Sequence, residues 1–519
     1  MNAFARVADA LAVSPLLNCL LREAASPAGD RAGDRAGERT GEPVAGRAVY
    51  RLRVSGRLLR VRGGHRPTRP ELWTAGTWRR LDHAGLVDLA VEEMRATTGR
   101  PNDSLAAEMA ASRAAVEALL AARARAVPPD DPWLRSEQAL VMGHPFHPAP
   151  KSRGTAPPAD WLRYAPEAYA RFPLTLLGVR EDAVIEDGDT SALDALGEAP
   201  PGYRLLPAHP WQLALTRRIP AVLAAFADGR LVRLGSTPWQ ARATASVRTV
   251  HVPADDLFLK FSLDVRITND VRRLWRDELR QARHNDPLVA AAFRTLDGPA
   301  AWLHERGHRT VRGLDETFPV LVRDGLGAHL LPGTRAVLTA ALAEGFDGNP
   351  LDRLADPLPW WSAYLARVVP PLLEAYARHG VVVECHLQNT LIAVDAAGTP
   401  VQAVFRDAEG SRVIPQLSRA DAWRRLVYCL LVNNLAEVAG ALADRFPHDA
   451  DALWPAARRE FERFAALHHD LPEASALLNA PTVPGKANLL SGWLEAGATE
   501  PRYLPFPNPL ATLPGPVLV

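Results

Sequence analysis

Cysteine is almost missing from this chain of 519 residues: Cys19, Cys385 and Cys429 stand far apart and are odd in number. No C-x-x-C pair exists to bind zinc or cycle redox, and no disulfide framework can form, which fits a reducing, cytoplasmic setting. Lysine is scarce beside arginine, so each lysine stands out. No run reaches 18 consecutive apolar residues, so no transmembrane helix is expected. The apolar stretch from Ala10 to Leu21 is interrupted by Pro15 and Asn18 and followed by Arg22-Glu23. It reads as an amphipathic docking segment rather than a signal peptide. An excess of one charge is missing too. Lys+Arg is 60 against Asp+Glu at 59, so no global field favours nucleic acid or an anionic membrane. What is present, 47% apolar and 23% charged residues, is ordinary for a globular protein. The length implies roughly two to four domains or subdomains.

One stretch concentrates chemistry: VVVECHLQNTLIAVDAAGTPVQAVFRDAEG, Val381 to Gly410. Two apolar runs, Thr390 to Val394 and Val401 to Phe405, flank a Gly/Pro/Asp cluster, the signature of a hairpin. Closing it places Asn389 nearly opposite Arg406 and Asp407, about 5 Å apart as facing residues are. Glu384, His386, Gln388 and Asn389 then meet Asp407 and Glu409 at one mouth. Polar groups gathered there cost free energy unless paired or ligated. An Asn and an Asp at the ends of a hairpin can hold Mg²⁺ and, through it, phosphates, as protein kinases do. The competing reading is a surface hairpin with solvated ends.

Elsewhere the chain alternates helical and β patterns. Residues 1–24 read as a helix. The Gly, acid and Arg repeat over 27–46 has too few apolar side chains to order itself and reads as a disordered loop. Tyr50, Leu52 and Val54 alternate as a half-buried strand whose partner is Leu58–Val61. Helices follow over about 84–98 and 104–127, with Asp103 as the expected N-cap of the second. Gly143–Lys151, GHPFHPAPK, is a stiff loop, and its His144, His147 and Lys151 could meet an anion. His209-Pro-Trp-Gln212 looks like a second such loop. Ser246, Arg248 and Val250 alternate as one strand face, and Leu257 to Leu263, carrying Lys260 between Leu259 and Phe261, is its partner. That sheet sets two cations above the acidic mouth. Thr268 and Arg272, four apart, share a face if helical, and Arg272 could fork a carboxylate. His304-Glu305-Arg-Gly-His308 matches the zinc-protease signature, but Gly307 argues against the helix that signature needs. Residues 357–379 read as a helix with Trp360, Trp361 and Tyr364 in the core. From 419 to about 469 the chain is helical, and Pro484-Gly485-Lys486 opens a last helix.

Seven phrases then occur in order: LLNCLLRE, GHPFHPAPK, HPWQ, SVRT followed by Lys260, ITNDVR, ECHLQN and RDAEG. Together they resemble the NRPS-independent siderophore synthetases, the IucA/IucC group similar to aerobactin synthetase. The resemblance implies an α+β, cupped-hand fold: a thumb-like part over 1–135, a β-rich fingers-like part over 136–300 and a mostly helical, palm-like part over 301–519 with the kinase-like hairpin. It implies an ATP- and Mg²⁺-dependent ligase, a dimer in many members. In that reaction a carboxylate, commonly of citrate or a similar acid, displaces pyrophosphate to give an acyl-adenylate. An amine, a hydroxamate-bearing polyamine or an alcohol then takes the acyl group in siderophore synthesis.

By the same resemblance, Ser246, Arg248 and Lys260 look like grips on the ATP phosphates, joined by one of His144 or His147 and by Lys151. Gln388, Asn389 and Asp407 look like the nucleotide side, with Glu384, Asn389 and Asp407 for Mg²⁺. Thr268, Arg272 and His386, with Lys260, look like the catalytic, carboxylate-substrate side. The rival classes are a small-molecule phosphotransferase on a kinase-like scaffold, which lacks an acid where Gln388 stands, and a binding protein with a dead nucleotide site.

Overall fold

Buried apolar stripes on helices and alternating strands draw the chain around three large cores. The computed structural model describes residues 3–28, 46–154, 156–268, 270–468, 471–495 and 502–511. The loop expected over 27–46 lies, at 29–45, outside the described residues.

The first core is built from the helix Ala3–Ala24, which packs against the helices His83–Thr98 and Asp103–Arg123 and a five-stranded antiparallel sheet. Arg47–Leu52 and Leu58–Arg62 pair as expected, Tyr50 against Leu59. The cap of the third helix is Asn102, not Asp103: its side-chain oxygen accepts from Leu105 N at 2.9 Å. An Asn at the N-cap satisfies one of the amides that a helix start leaves open. Leu489 and Trp493 of the C-terminal helix Asn488–Trp493 complete this core.

The second core lies under a seven-stranded sheet and a three-stranded one. In the larger sheet Leu257–Phe261 sits between Thr249–Val252 and Val320–Asp324, with Thr249 opposite Lys260 and Lys260 opposite Leu321. Ser246 and Arg248 are not on a strand face. They occupy the turn between Ala241–Ala243 and Thr249–Val252. Thr244 Oγ1 donates to Thr249 O at 2.8 Å and Thr249 N to Ser246 O at 2.6 Å, so local hydrogen bonds defeat the alternation. Thr268 and Arg272 are not helical either. Arg266–Ile267 pairs with Asp270–Val271 in a tight hairpin, where Thr268 adopts φ +59°.

The third core is the largest and surrounds the helix Pro357–His379, with Trp360, Trp361 and Tyr364 inside. Two further helices, Arg419–Val427 and Ala436–Arg445, are joined by a π-helix over Tyr428–Leu435. The hairpin Thr390–Val394 with Pro400–Phe405 lies on this core, Thr390 opposite Phe405. By length and composition Ala3–Ala24 and the continuous helical run Arg419–Arg445 could cross a membrane, contrary to expectation. Their apolar windows are 61% and 83% buried inside the fold, the setting of core helices.

Two smaller corrections follow. Pro484-Gly485-Lys486 belongs to the strand Thr482–Lys486, paired with Tyr503–Pro507, and the last helix begins after it. A Cβ on Gly485 would lie 1.6 Å from the Phe506 ring, so glycine serves close strand packing here rather than a helix start. His209 is 1% exposed; it opens the helix Pro210–Thr216 by accepting from Trp211 N, rather than sitting on an open loop.

Candidate active site

Lys260 points off a strand whose own residues are all buried, and it is itself 2% exposed. Such an ammonium must find anions. Its Nζ donates to Asp407 Oδ1 and Glu409 Oε2, both at 2.6 Å. Both acids stand just past the hairpin strand that ends at Phe405, and Asp407 holds φ +85°, a left-handed conformation costly for a residue with a Cβ. That strain turns the carboxylate back toward the lysine strand. Arg248 donates to Glu409 at 3.0 Å and to Arg273 O at 2.7 Å. Arg323, on the neighbouring strand, reaches Asp407 at 3.2 Å while ion-paired to Glu305. Burial alone would raise both acids. Lys260 and Arg323 instead hold Asp407 well below the carboxylate range, and Arg248 with Lys260 holds Glu409 at about 2. The cationic strands and the acidic mouth thus form one interlocked cluster.

The loop before the hairpin supplies the other wall. Glu384 is ion-paired with Arg425, and a Cβ on Gly410 would lie 2.2 Å from its carboxylate, so a larger residue there would displace that side chain. Asn389 N donates to His386 O at 2.9 Å, and its amide lies 3.4 Å from His386 Nε2. Burial pushes the His386 imidazole below its ordinary range despite Glu384 and Asp407, so it is neutral at pH 7. The carbonyl of Gln388 accepts from Arg406, whose guanidinium forks the buried Glu137. Glu137 also accepts from Ala245 N at 3.1 Å, tying the hairpin to the Ser246–Arg248 turn.

The π-helix shapes this loop from beneath. Leu387 N donates to Asn433 O at 3.2 Å, and Asn434 Nδ2 donates to Cys385 O at 2.8 Å. Tyr364 OH donates to Asn434 Oδ1 in turn. π-segments are rare and cluster at functional sites; here one orients the backbone that carries Glu384, His386, Gln388 and Asn389.

Arg272 differs from the other cations. Its Nη2 donates to Ile267 O at 2.6 Å and to Thr268 Oγ1, and no carboxylate lies within ion-pair range among the described residues. Burial first, then Arg248, push its guanidinium down to about 10. Ser246 contributes its carbonyl and, at 3.5 Å, its hydroxyl to Thr249. His144 sits exposed on its loop, where its Nδ1 accepts from Phe146 N at 3.0 Å. His147 is buried and accepts from Ala149 N. Lys151 is not brought to the cleft: it is 6% exposed and ion-paired with the buried Glu167.

No three His, Cys, Asp or Glu side chains gather as a metal site among the described residues. His304 and His308 are no zinc pair. They flank and enter the strand Glu305–Val311, where positions four apart are about 13 Å apart, and His304 is bound to Asp286.

A profile of the IucA / IucC family matches residues 132–344, and one described as a ferric iron reductase FhuF-like transporter matches 358–499. The L-2,3-diaminopropanoate–citrate ligase of Staphylococcus aureus is 28% identical over 73% of this chain and 75% of its own length. The rhizobactin siderophore biosynthesis protein RhbC of Rhizobium meliloti is 29% identical over 81% and 85%. Over residues 132–344 the chain is thus similar to the IucA / IucC family. Its fold is that of the ATP-bound aerobactin synthetase IucA from Klebsiella pneumoniae: TM-score 0.80, 22% identity, 97% of this chain and 100% of the other covered.

Several residues of the site lie outside the candidates taken from the motifs. Arg323 and Glu305 extend the cluster behind Asp407, and Glu137 holds the two walls together. Arg323 carried the same signal as Lys260, a charge following the apolar run Val320–Val322 in a buried strand. Lys486 joins the site from the C-terminal strand: its Nζ lies 5.1 Å from the Tyr428 ring, and its charge is felt by Glu384 and His386.

Proposed function

We propose that this chain is an ATP-dependent ligase of siderophore synthesis. It joins a carboxylic acid such as citrate to an amine, a hydroxamate-bearing polyamine or an alcohol through an acyl-adenylate. The observation that carries this reading is Arg272, a half-buried guanidinium with no carboxylate in ion-pair range among the described residues, beside a cluster rich in cations. A guanidinium in that setting is built for a substrate carboxylate, which it can fork with two parallel hydrogen bonds.

The chemistry needs two anions to meet. The carboxylate oxygen attacks the α-phosphorus, the bond to the β-phosphate oxygen breaks, and pyrophosphate leaves. Arg272 and Thr268 would hold the acid. Lys260 and Arg248 would face the phosphates, with Ser246 in the turn beside them and His144 at the mouth. Their fixed positive charge stabilises the charge that develops at phosphorus, and holding both anions in one cavity supplies the encounter. Lys260 is committed to Asp407 and Glu409 in this structure, so phosphate binding must loosen those pairs.

The oxygen donors Glu384, Asn389 and Asp407 suit Mg²⁺, which prefers one or two carboxylates with phosphates and water as its remaining ligands. Bound there, it would neutralise triphosphate charge and relieve Lys260 of Asp407. His386, neutral and next to Asn389, is placed to hydrogen-bond the acid or receive the proton of an incoming amine. The cytoplasm, with its ATP and reduced thiols, is the fitting compartment, and a homodimer fits the family habit. The acceptor half reads as an amine or alcohol, with no nucleic acid or membrane as partner.

Hydroxylamine trapping with Mg²⁺ and ATP over a panel of carboxylic acids tests the reading. We expect an acyl-hydroxamate with AMP and pyrophosphate in equal amounts, citrate or a related acid being preferred. ADP as the product with any acid would instead mean phosphoryl transfer.

A further inference from the structure

We propose that Arg22 is the anchor for a carboxylate on the acceptor, so that the preferred acceptor is an amine bearing its own acid group rather than a plain polyamine. This rests on the ligase reading and concerns its second half.

Arg22 leaves the first helix between two aromatic rings. Its guanidinium carbon lies 3.4 Å from the Phe146 ring centre and 4.6 Å from that of Phe506. Both contacts are of the cation–π kind, and the N–H groups of the guanidinium remain available for polar partners. Among the described residues no carboxylate lies within ion-pair range of them. The nearest acid by charge, Glu437, lies 3.1 Å from His65 and 4.0 Å from Arg66, and neither of its oxygens accepts a hydrogen bond among the described residues. Glu23, next in the chain, spends both oxygens on Leu489 N and Leu490 N. Burial lowers the Arg22 guanidinium, the mark of a cation short of anions.

The surroundings are tied to the loop of the site. Asn18 Nδ2 donates to Pro145 O at 2.9 Å and Asn488 Nδ2 to Phe146 O at 2.6 Å, fixing the loop that also presents His144. Tyr428 neighbours Arg22 electrostatically and carries Lys486 over its ring. Lys486 in turn acts on His144, His386 and Glu384. Arg22 therefore belongs to the His144–Lys486 end of the site, whereas Arg272 neighbours Arg248. Two forks without carboxylates, one at each end, match two carboxylate-bearing substrates. Lys could not replace Arg22 in this role, since an ammonium has no planar fork.

The test compares acceptor pairs that differ only in the acid group: 2,3-diaminopropanoate with 1,2-diaminoethane, and ornithine with putrescine. For the intact chain we expect kcat/KM to favour the carboxylated member by at least about tenfold. Arg22→Gln should erase that preference by raising the KM for the carboxylated member about 10- to 100-fold. It should leave hydroxamate formation and the KM for ATP unchanged. Arg22→Lys should recover little of the preference. Calorimetric binding of ornithine and putrescine needs no turnover, so it tests Arg22 even if trapping yields no hydroxamate and the ligase reading falls. Equal binding and equal kcat/KM for the paired acceptors would overturn the inference. So would Arg22→Gln with its preference intact, or one whose main effect is on ATP. Thermal unfolding of each variant reports whether it is folded.

Discussion

Lys260 and Arg272 lie close in the chain and both neighbour Arg248 and Glu409, yet they are treated in opposite ways. Lys260 is saturated: two carboxylates grip it, and Arg323 and Arg248 complete the pattern behind them. Among the described residues Arg272 has only a carbonyl and a hydroxyl. A saturated cation stabilises the resting fold and must be released to act. A cation without an anion destabilises the resting fold and gains when its ligand arrives. On the ligase reading proposed above, nucleotide would have to open the first of these, whereas the second could take an acid directly.

The sharpest way to break this comparison is Lys260→Ala. It strips Asp407 and Glu409 of their shared partner. Both acids keep some contact with solvent, so we expect a loss of about 2–3 kcal/mol, below the 3–5 seen for wholly buried pairs. ATP-dependent pyrophosphate release should vanish with it. Denaturant unfolding and a pyrophosphate assay read both, and an unaltered rate and KM for ATP would remove Lys260 from the phosphate side.

Arg272→Ala should do the reverse to the fold, leaving stability unchanged or slightly improved. Acid-dependent pyrophosphate release should fall about 100- to 1000-fold, as when one donor to a developing charge is lost, while ATP still binds. Turnover equal to the parent would end the substrate-side assignment.

The smallest effect concerns Glu278, the acidic counterpart of Arg272. One of its oxygens is buried without a partner, and burial, then Glu409, raise its carboxyl to about 7. A folded-state pKa above the ordinary 4.5 means that its contribution to stability is full below pH 4.5 and is lost as pH rises toward 7. Glu278→Gln should flatten that part of the stability profile relative to the parent. Parallel profiles between pH 4.5 and 7 would show that Glu278 is not the group responsible.

How far the chain could be read follows from how local each signal was. The hairpin was legible because its apolar runs and its Gly/Pro/Asp turn are adjacent, and Lys260 because a charge between Leu259 and Phe261 needs a buried partner. The Ser246–Arg248 turn was not, since Ser, Arg and Val at alternate positions mimic a strand face until Thr244 and Thr249 close the turn. A spacing of four suited Thr268 and Arg272 to a helix and equally to a two-strand hairpin. The π-segment leaves no mark on periodicity over eight residues, so the support of Asn434 for the His386 loop came only with coordinates. Arg22 was visible inside a motif, but its two aromatic lids come from residues 146 and 506, which no local pattern can bring together.

Glu23 caps the helix that starts at Asn488, and Asn102 donates to Trp493 O at 2.8 Å, so the opening helix finds its partners near the far end of the chain. A ribosome delivers those partners last. The N-terminal core stays unfinished through most of translation, and its exposed apolar face depends on late-arriving residues or on chaperones for shelter.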